Sequence, residues 1–326
     1  MNDAVNQILI NSSAIPGVSL KKGPDSTELL LKSAAGSGRQ VYYSLFEGIT
    51  IAFVQIDAPS WPEAGDNATI TPFRINYCLS GRGELLLKNN TYIYLQNKDI
   101  CISEQTTQRE YLFPTRQYKG ISIYFDMNLV SGLNELLRNL FDINIMELRE
   151  IYCSDGKTYT AEVTEEIEHI FDELWKVSET FSVFYMKQYV LELLHLLSQK
   201  REILVKPHAL YTGIQVEIAK QAEKILTSDL RRHYPVRILA EKFSVSETSL
   251  KNYFRGVYGQ NISLYLRDIR MCAAAKMLTE TQKPISEISQ EIGYTNQGKF
   301  AALFRQKYKI PPLEYRRTQH MKKMKV

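Results

Sequence analysis

The feature that most constrains this chain is a unit that occurs twice in its last hundred residues. The first copy reads RILAEKFSVSETSLKNYFRGVYG and the second ISEISQEIGYTNQGKFAALFRQKYK. Leu250, Phe254, Arg255 and Tyr258 recur 50 positions later as Phe300, Phe304, Arg305 and Tyr308. Leu239 and Ala240 recur at 49 positions as Ile288 and Ser289, so the second turn is one residue longer. Each copy predicts a short helix, a turn of about three or four residues and a second helix. The second helices bury Leu250, Tyr253, Phe254 and Val257 in one copy and Phe300, Leu303, Phe304 and Tyr308 in the other, at 3/4 spacing. Small Ala240 and Ser289 stand where paired helices must cross. Ser246, and Thr295 or Asn296, are placed to cap the second helices.

The spacer NISLYLRDIRMCAAAKMLTETQKP reads as a helix of about 18 residues, roughly 27 Å long. With its flanking turns it approaches one turn of B-DNA, roughly 34 Å. A rod of that length would place two recognition helices in successive major grooves. Helices are expected near 214–228, 236–243, 247–257, 262–279, 285–292 and 297–308, with a short one from Pro312.

Charge is distributed to match. The chain has 40 Lys+Arg and 36 Asp+Glu, but from Gly213 onward the count is 21 against 10. That part carries +11 and the remainder −7, the asymmetry expected when one end meets phosphate. The alternatives are, for the charge, a basic domain that is merely soluble and, for the repeat, an all-helical packing domain in which the repetition is chance. No apolar run reaches the roughly 18 residues of a membrane span, and the N-terminus lacks the pattern of a signal peptide. Cys78, Cys101, Cys153 and Cys272 show no CxxC spacing. A cytoplasmic protein without disulfides or a membrane partner is expected.

Residues 41–126 read as short antiparallel strands punctuated by Gly, Pro, Asn and Asp, including a hairpin turning at Asn89-Asn90. That pattern predicts a barrel or jelly roll. After Asp126, NLVSGLNELLRNLF, TAEVTEEIEHIFDELWKVS and TFSVFYMKQYVLELLHLLSQKR read as helices. In the last, Phe181, Phe184, Tyr185, Leu191, Leu194 and Leu197 are apolar on more than one stripe. Such a helix is buried in its own domain or shared with a partner subunit.

LAEKFSVSETSLKNYFR, YLRDIRMCAAAKML, PISEISQEIGYTNQGKFAALFRQKYK and PPLEYRR together resemble the AraC family of transcriptional regulators over residues 214–317. The resemblance implies a two-domain α+β chain. Its N-terminal part would be a cupin-like β-barrel or jelly roll followed by helices, and its C-terminal part an all-α domain with two helix-turn-helix units. The expected division is an arm at 1–40, a sensing barrel at 41–126, a helical dimerisation segment at 127–201, a linker at 202–213, the DNA-binding domain at 214–317 and a basic tail at 318–326. Expected partners are double-stranded DNA, a second copy of the chain, RNA polymerase and a small-molecule effector, with no cofactor. The resemblance favours activation over repression.

Thr248, Lys251 and Asn252 match the family's base-reading positions. Asn pairs with adenine, Lys reaches guanine and the Thr methyl touches thymine. Matching positions in the second unit are Gln297, Gly298, Ala301 and Ala302. Small side chains allow close approach but leave Gln297 most of the polar readout. Ser246, Arg255, Thr295, Asn296, Lys299, Arg305 and Lys307 form the expected phosphate-contacting set. Arg267 and Arg270 either bind phosphate or pair with Asp268 and Glu280. The sequence departs from the family at Lys309, where a turn glycine is usual, at Pro311 and at Gly298.

A metal-dependent enzyme on the barrel would need His and carboxylate ligands on adjacent strands. His169, His195, His208, His233 and His320 all fall outside the strand-rich region. No GxSxG, HExxH, P-loop or complete GxGxxG occurs. Trp61, Arg74, Asn76, Tyr77 and Arg109 are candidate lining residues of an effector pocket. Arg74 and Arg109 either bind an anionic ligand or decorate the surface. The rival reading is a constitutive DNA binder whose barrel only dimerises.

Overall fold

The structure, a computed structural model, describes residues 5–6, 9–10, 12, 15–62, 73–87, 90–104, 110–199, 204–207 and 209–323. The α+β chain divides into two compact units, Met1–Thr212 and Gly213–Val326.

The first unit is built on antiparallel strands: β1 (Val18–Lys22), β2 (Ser26–Ser33), β3 (Gly36–Phe46), β4 (Ile49–Asp57), β5 (Ser60–Pro62), β6 (Phe73–Gly81), β7 (Gly83–Leu87), β8 (Thr91–Leu95), β9 (Asp99–Ser103), β10 (Glu110–Leu112), β11 (Gln117–Phe125), β12 (Tyr159–Val163), β13 (Leu204–Pro207) and β14 (Tyr211–Thr212). The main sheet runs in the order β1-β2-β3-β4-β11-β6-β9-β12-β13, with β10-β5 and β14-β8-β7 as smaller sheets. Four helices follow or interrupt the strands: α1 (Met127–Phe141), α2 (Ile145–Cys153), α3 (Glu165–Thr180) and α4 (Val183–Ser198). Asp126 caps α1 by accepting from the Asn128 amide, and Asn144 caps α2 through the Glu147 amide.

Strand side chains alternate between faces, and that period sorts the sheet into two environments. Phe73, Ile75 and Tyr77 on β6 and Ile121, Ile123 and Phe125 on β11 face the helices. They share one core with Ile167, Ile170 and Phe171 of α3 and Val190, Leu193 and Leu194 of α4. The intervening residues Arg74, Asn76, Ser122 and Tyr124 turn the other way and line a cavity with Trp61 and Tyr111. Tyr77 is therefore corrected as a pocket residue. It is 1% exposed, and its ring lies flat on Phe171 at a centroid distance of 4.0 Å. One position of register separates it from Asn76 and places it in the helix-facing core.

Other expectations are also corrected. Residues expected as an N-terminal arm supply β1, β2 and the start of β3, with Val18, Leu29 and Leu31 buried. TAEV forms strand rather than helix: Thr160, Ala161 and Glu162 pair with β9, and α3 begins only at Glu165. Part of the expected linker is β13, paired with β12, and β14, paired with β8. β7 and β8 form the expected hairpin, with Asn90 at φ 55, but Leu87 rather than Lys88 pairs with Thr91, so residues 88–90 connect the strands instead of Asn89-Asn90 alone; Asn89 lies outside the described residues. The apolar surround of α4 divides: Leu194 and Leu197 are buried, whereas Phe184 is 71% exposed and Phe181 and Tyr185 are also exposed. Among the described residues no helix is long and apolar enough to cross a membrane.

Phe171→Ala removes the ring under Tyr77 and opens a void between sheet and helices. It is expected to destabilise the first unit by about 3–5 kcal/mol. Urea unfolding followed by tryptophan fluorescence reads this unit alone, because Trp61 and Trp175 both lie in it.

Candidate nucleic-acid interface and barrel cavity

The second unit is helical: α5 (Gly213–Ser228), α6 (Val236–Lys242), α7 (Glu247–Tyr258), α8 (Ile262–Glu280), α9 (Ile285–Glu291), α10 (Gln297–Tyr308) and α11 (Pro312–Lys323). The pairs α6–α7 and α9–α10 are the two helix-turn-helix units. Ala240 and Ser289 are buried on the first helix of each. The turn after Ala240 is closed by the Val245 amide donating to the Ala240 carbonyl at 3.0 Å. The second is closed by the Tyr294 amide donating to the Ser289 carbonyl at 2.8 Å. Residues 243–246 connect the first pair and 292–296 the second, so the extra residue falls in the turn.

Both recognition helices are capped at both ends. Ser246 Oγ accepts from the Ser249 amide at 3.0 Å, and Asn296 Oδ1 accepts from the Lys299 amide at 2.9 Å. Of the two cap candidates in the second unit, Asn296 takes the role. At the other end Gly259 and Lys309 hold left-handed backbone, φ 74 and 67. Their amides donate to the Arg255 and Arg305 carbonyls at 2.8 Å each. Gly293, φ +83, is required by its turn: a Cβ there would lie 2.3 Å from the Leu230 carbonyl oxygen.

The repeat extends further than the opening alignment. Phe254, Tyr258 and Tyr265 form an aromatic triad with centroid distances of 4.6, 5.3 and 4.7 Å. Phe304, Tyr308 and Tyr315 form a second, at 4.6, 5.3 and 5.0 Å. Tyr265 and Tyr315 also differ by 50 positions, a correspondence visible in the sequence once the alignment is carried past each recognition helix. These triads lock each recognition helix to the helix that follows it.

The outward faces are accessible. Thr248, Lys251, Asn252 and Arg255 are exposed on α7; Gln297, Gly298, Lys299, Ala302 and Arg305 are exposed on α10, and Ala301 is half-buried. Two cations already have intramolecular partners. Lys251 Nζ pairs with Glu247 at 3.1 Å, and Lys307 Nζ pairs with Asp268 at 3.3 Å. Exposed pairs of this kind are worth about 1 kcal/mol or less and are easily exchanged for phosphate. Arg270 is structural: it donates to the Arg232 carbonyl at 3.4 Å and stacks over the Tyr294 ring.

In the first unit the cavity measures about 70 Å³. It takes Gln40 from β3, Val54 from β4, Arg74 and Asn76 from β6, and Ser122 and Tyr124 from β11, closed by Trp61, Glu84 and Tyr111. Arg74 Nε donates to Ser103 Oγ at 3.3 Å and an Nη donates to the Tyr111 hydroxyl at 2.5 Å. Trp61, Arg74 and Asn76 are thus brought together, while Arg109 lies outside the described residues. Sequence reading missed Gln40, Tyr111 and Glu84. Gln40 carries a signal, as the polar residue in the alternation of β3; Glu84 and Tyr111 reach the cavity by tertiary pairing alone.

A helix-turn-helix domain family model matches residues 239–318, spanning α6 to α11. The C-terminal unit is an AraC-type helix-turn-helix domain. The HTH-type transcriptional activator RhaR of Yersinia pestis bv. Antiqua (strain Angola) is 29% identical over 139 residues, 43% of this chain and 47% of that protein. The chain therefore spans about half the length of the curated relatives it first matches. The lactose operon transcription activator of Staphylococcus xylosus is 24% identical over 263 residues, 78% of this chain and 88% of that protein. Among solved structures, the C-terminal domain of AraT, a response regulator from Geobacillus stearothermophilus, is 31% identical over 32% of this chain and 84% of that one, with a TM-score of 0.29.

Within this AraC-type domain the two left-handed positions behave differently. Lys309→Gly relieves the cost of a side chain at positive φ and is expected to stabilise the second unit by about 0.5–1 kcal/mol. Gly293→Ala should destabilise it by about 2–3 kcal/mol through strain and overlap. Far-UV circular dichroism during urea unfolding, dominated by this helical unit, measures both shifts.

Proposed function

We propose that the chain is a sequence-specific DNA-binding transcriptional regulator whose barrel binds a small-molecule effector. One observation carries the DNA-binding part. Two doubly capped recognition helices present exposed faces and are joined by a continuous 19-residue helix, about 28 Å long. That length suits successive major grooves. The matched domain and relatives are transcription regulators rather than enzymes, and activation is the reading their names favour.

Base readout falls mainly to α7, through Thr248, Lys251 and Asn252. On α10, Gln297 supplies the polar contact and Gly298, Ala301 and Ala302 permit close approach. Arg255, Lys299 and Arg305 anchor phosphates, and Lys307 joins them when Asp268 releases it. Ser246, Thr295 and Asn296 bring the helix N-termini, with their free amides, toward the backbone.

Effector sensing is supported by how the cavity connects to the chain leaving the barrel. Glu84 lines the cavity and accepts from the Tyr94 hydroxyl at 2.8 Å. The Tyr94 ring meets Tyr211 edge-on at 6.0 Å. Tyr211 and Thr212 pair with Tyr92 and Thr91 of β8, and α5 begins at the next residue. A ligand that moves Glu84 therefore acts on the strand that leads into the DNA-binding unit, shifting a population of arrangements. The exposed Phe181, Phe184 and Tyr185 favour a dimer through α4 and its preceding turn. A constitutive binder would leave the cavity without consequence.

Binding-site selection with the full-length chain tests the reading. Two short half-sites about one helical turn apart are expected. Asn252→Ala should relax preference at one base pair, costing about 1–3 kcal/mol there. Lys299→Ala should weaken binding evenly and reduce the salt slope by about 1. Binding that depends on salt but not on sequence would sink the regulator reading.

A further inference from the structure

Arg74 is only 6% exposed, yet among the described residues no carboxylate pairs with it. Its partners are neutral hydroxyls, Ser103 and Tyr111, which occupy two of the five guanidinium N–H donors. Burial opposes its charge, but Tyr111 and Tyr124 hold its pKa above the usual arginine value. The side chain stays cationic at every physiological pH. A buried cation without a counter-charge is costly and is retained where something external supplies the charge.

The surroundings specify what that is. Arg74 lines the cavity, so its remaining donors can meet a molecule held there. Asn76, Ser122 and Gln40 provide neutral hydrogen-bonding groups, and Trp61 and Tyr124 provide aromatic walls. Glu84 lines the same cavity and accepts from the Tyr94 hydroxyl. One cation with an acid nearby suits a single negative charge better than a doubly charged phosphate.

We infer that the barrel cavity takes a compact monocarboxylate whose anionic end is seated on Arg74 against an aromatic wall. This rests on the effector-binding reading above and names the chemistry of its ligand. The planar fork of arginine matches a carboxylate, and charge-assisted bonds in a low-dielectric site are strong. The carboxylate would also change the field at Glu84, the group that holds Tyr94.

The test uses the full-length chain and two matched probe pairs, benzoate with benzamide and acetate with acetamide, at constant ionic strength. Binding is followed by the fluorescence of Trp61 and by calorimetry. The carboxylate of at least one pair is expected to bind about tenfold or more tightly than its amide. In Arg74→Met that ratio should fall to about one, and Arg74→Lys should keep part of it, since ammonium retains charge without the fork. Circular dichroism of the unliganded variants checks folding, and Arg74→Lys carries the comparison if the Met variant does not fold. Equal binding of acid and amide overturns the inference, as does a preference that survives Arg74→Met. Absence of carboxylate binding below about 50 mM, or tighter binding of inorganic phosphate than of either acid, also overturns it. Arg74-dependent carboxylate binding that leaves DNA affinity unchanged would sustain the site and reject effector sensing.

Discussion

A single uninterrupted helix, α8, holds the C-terminal unit together. At its start Tyr265 completes the aromatic triad behind the first recognition helix and bonds Glu223 of α5 at 2.9 Å. Further along, Met271, Ala274 and Leu278 share a core with Phe300 and Phe304 of the second recognition helix. Midway, Arg270 ties the Arg232 carbonyl, ahead of the first unit, to Tyr294 in the turn of the second. A helix advances about 1.5 Å per residue and resists bending. The separation of the two recognition helices is thus set by covalent geometry and packing, and under the proposed reading DNA has to match it.

Within that frame the two recognition helices present unequal faces. α7 presents Thr248, Lys251 and Asn252, which carry hydrogen-bonding chemistry, whereas α10 presents a glycine, two alanines and one glutamine. Under the proposed reading the first helix discriminates between sequences, and the second adds closeness and phosphate affinity. A bare helix face that would be unremarkable in solvent becomes useful where a groove wall approaches it.

The first unit depends on an equally simple rule. Alternation along β6 and β11 sends Ile75 and Ile121 to the helices and Arg74, Asn76 and Ser122 to the opposite face, where they line the cavity. A sheet covered by helices on one face needs no polar groups there, while the enclosed face can afford a few if each has a partner. Asn76 and Ser122 sit opposite each other in the β6–β11 register. Arg74 sits opposite Tyr124 and Ser103 in the same ladders. Strand pairing assembles this polar cluster from segments about 30 to 50 residues apart in sequence.

How much was legible follows from the range of each interaction. Helices in the second unit were readable nearly to the residue, because caps such as Ser246 and Asn296, the 3/4 apolar spacing and the 50-residue repeat are local or periodic. The helical part of the first unit was less so. TAEV was drawn into the helix it precedes, since four residues carry no period of their own and their pairing partner, β9, lies some 60 residues earlier. β1, β2, β13 and β14 were missed for the same reason. By itself, then, the sequence determined a tandem helix-turn-helix unit with its capped helices, their spacing and its basic charge, all of which depend on neighbours within a few turns. Only the tertiary structure decided that Tyr77 is core, that Arg74 is a buried cation bonded to the hydroxyls of Ser103 and Tyr111, and that Tyr211 and Thr212 pair with β8, because those facts depend on which distant strands pair.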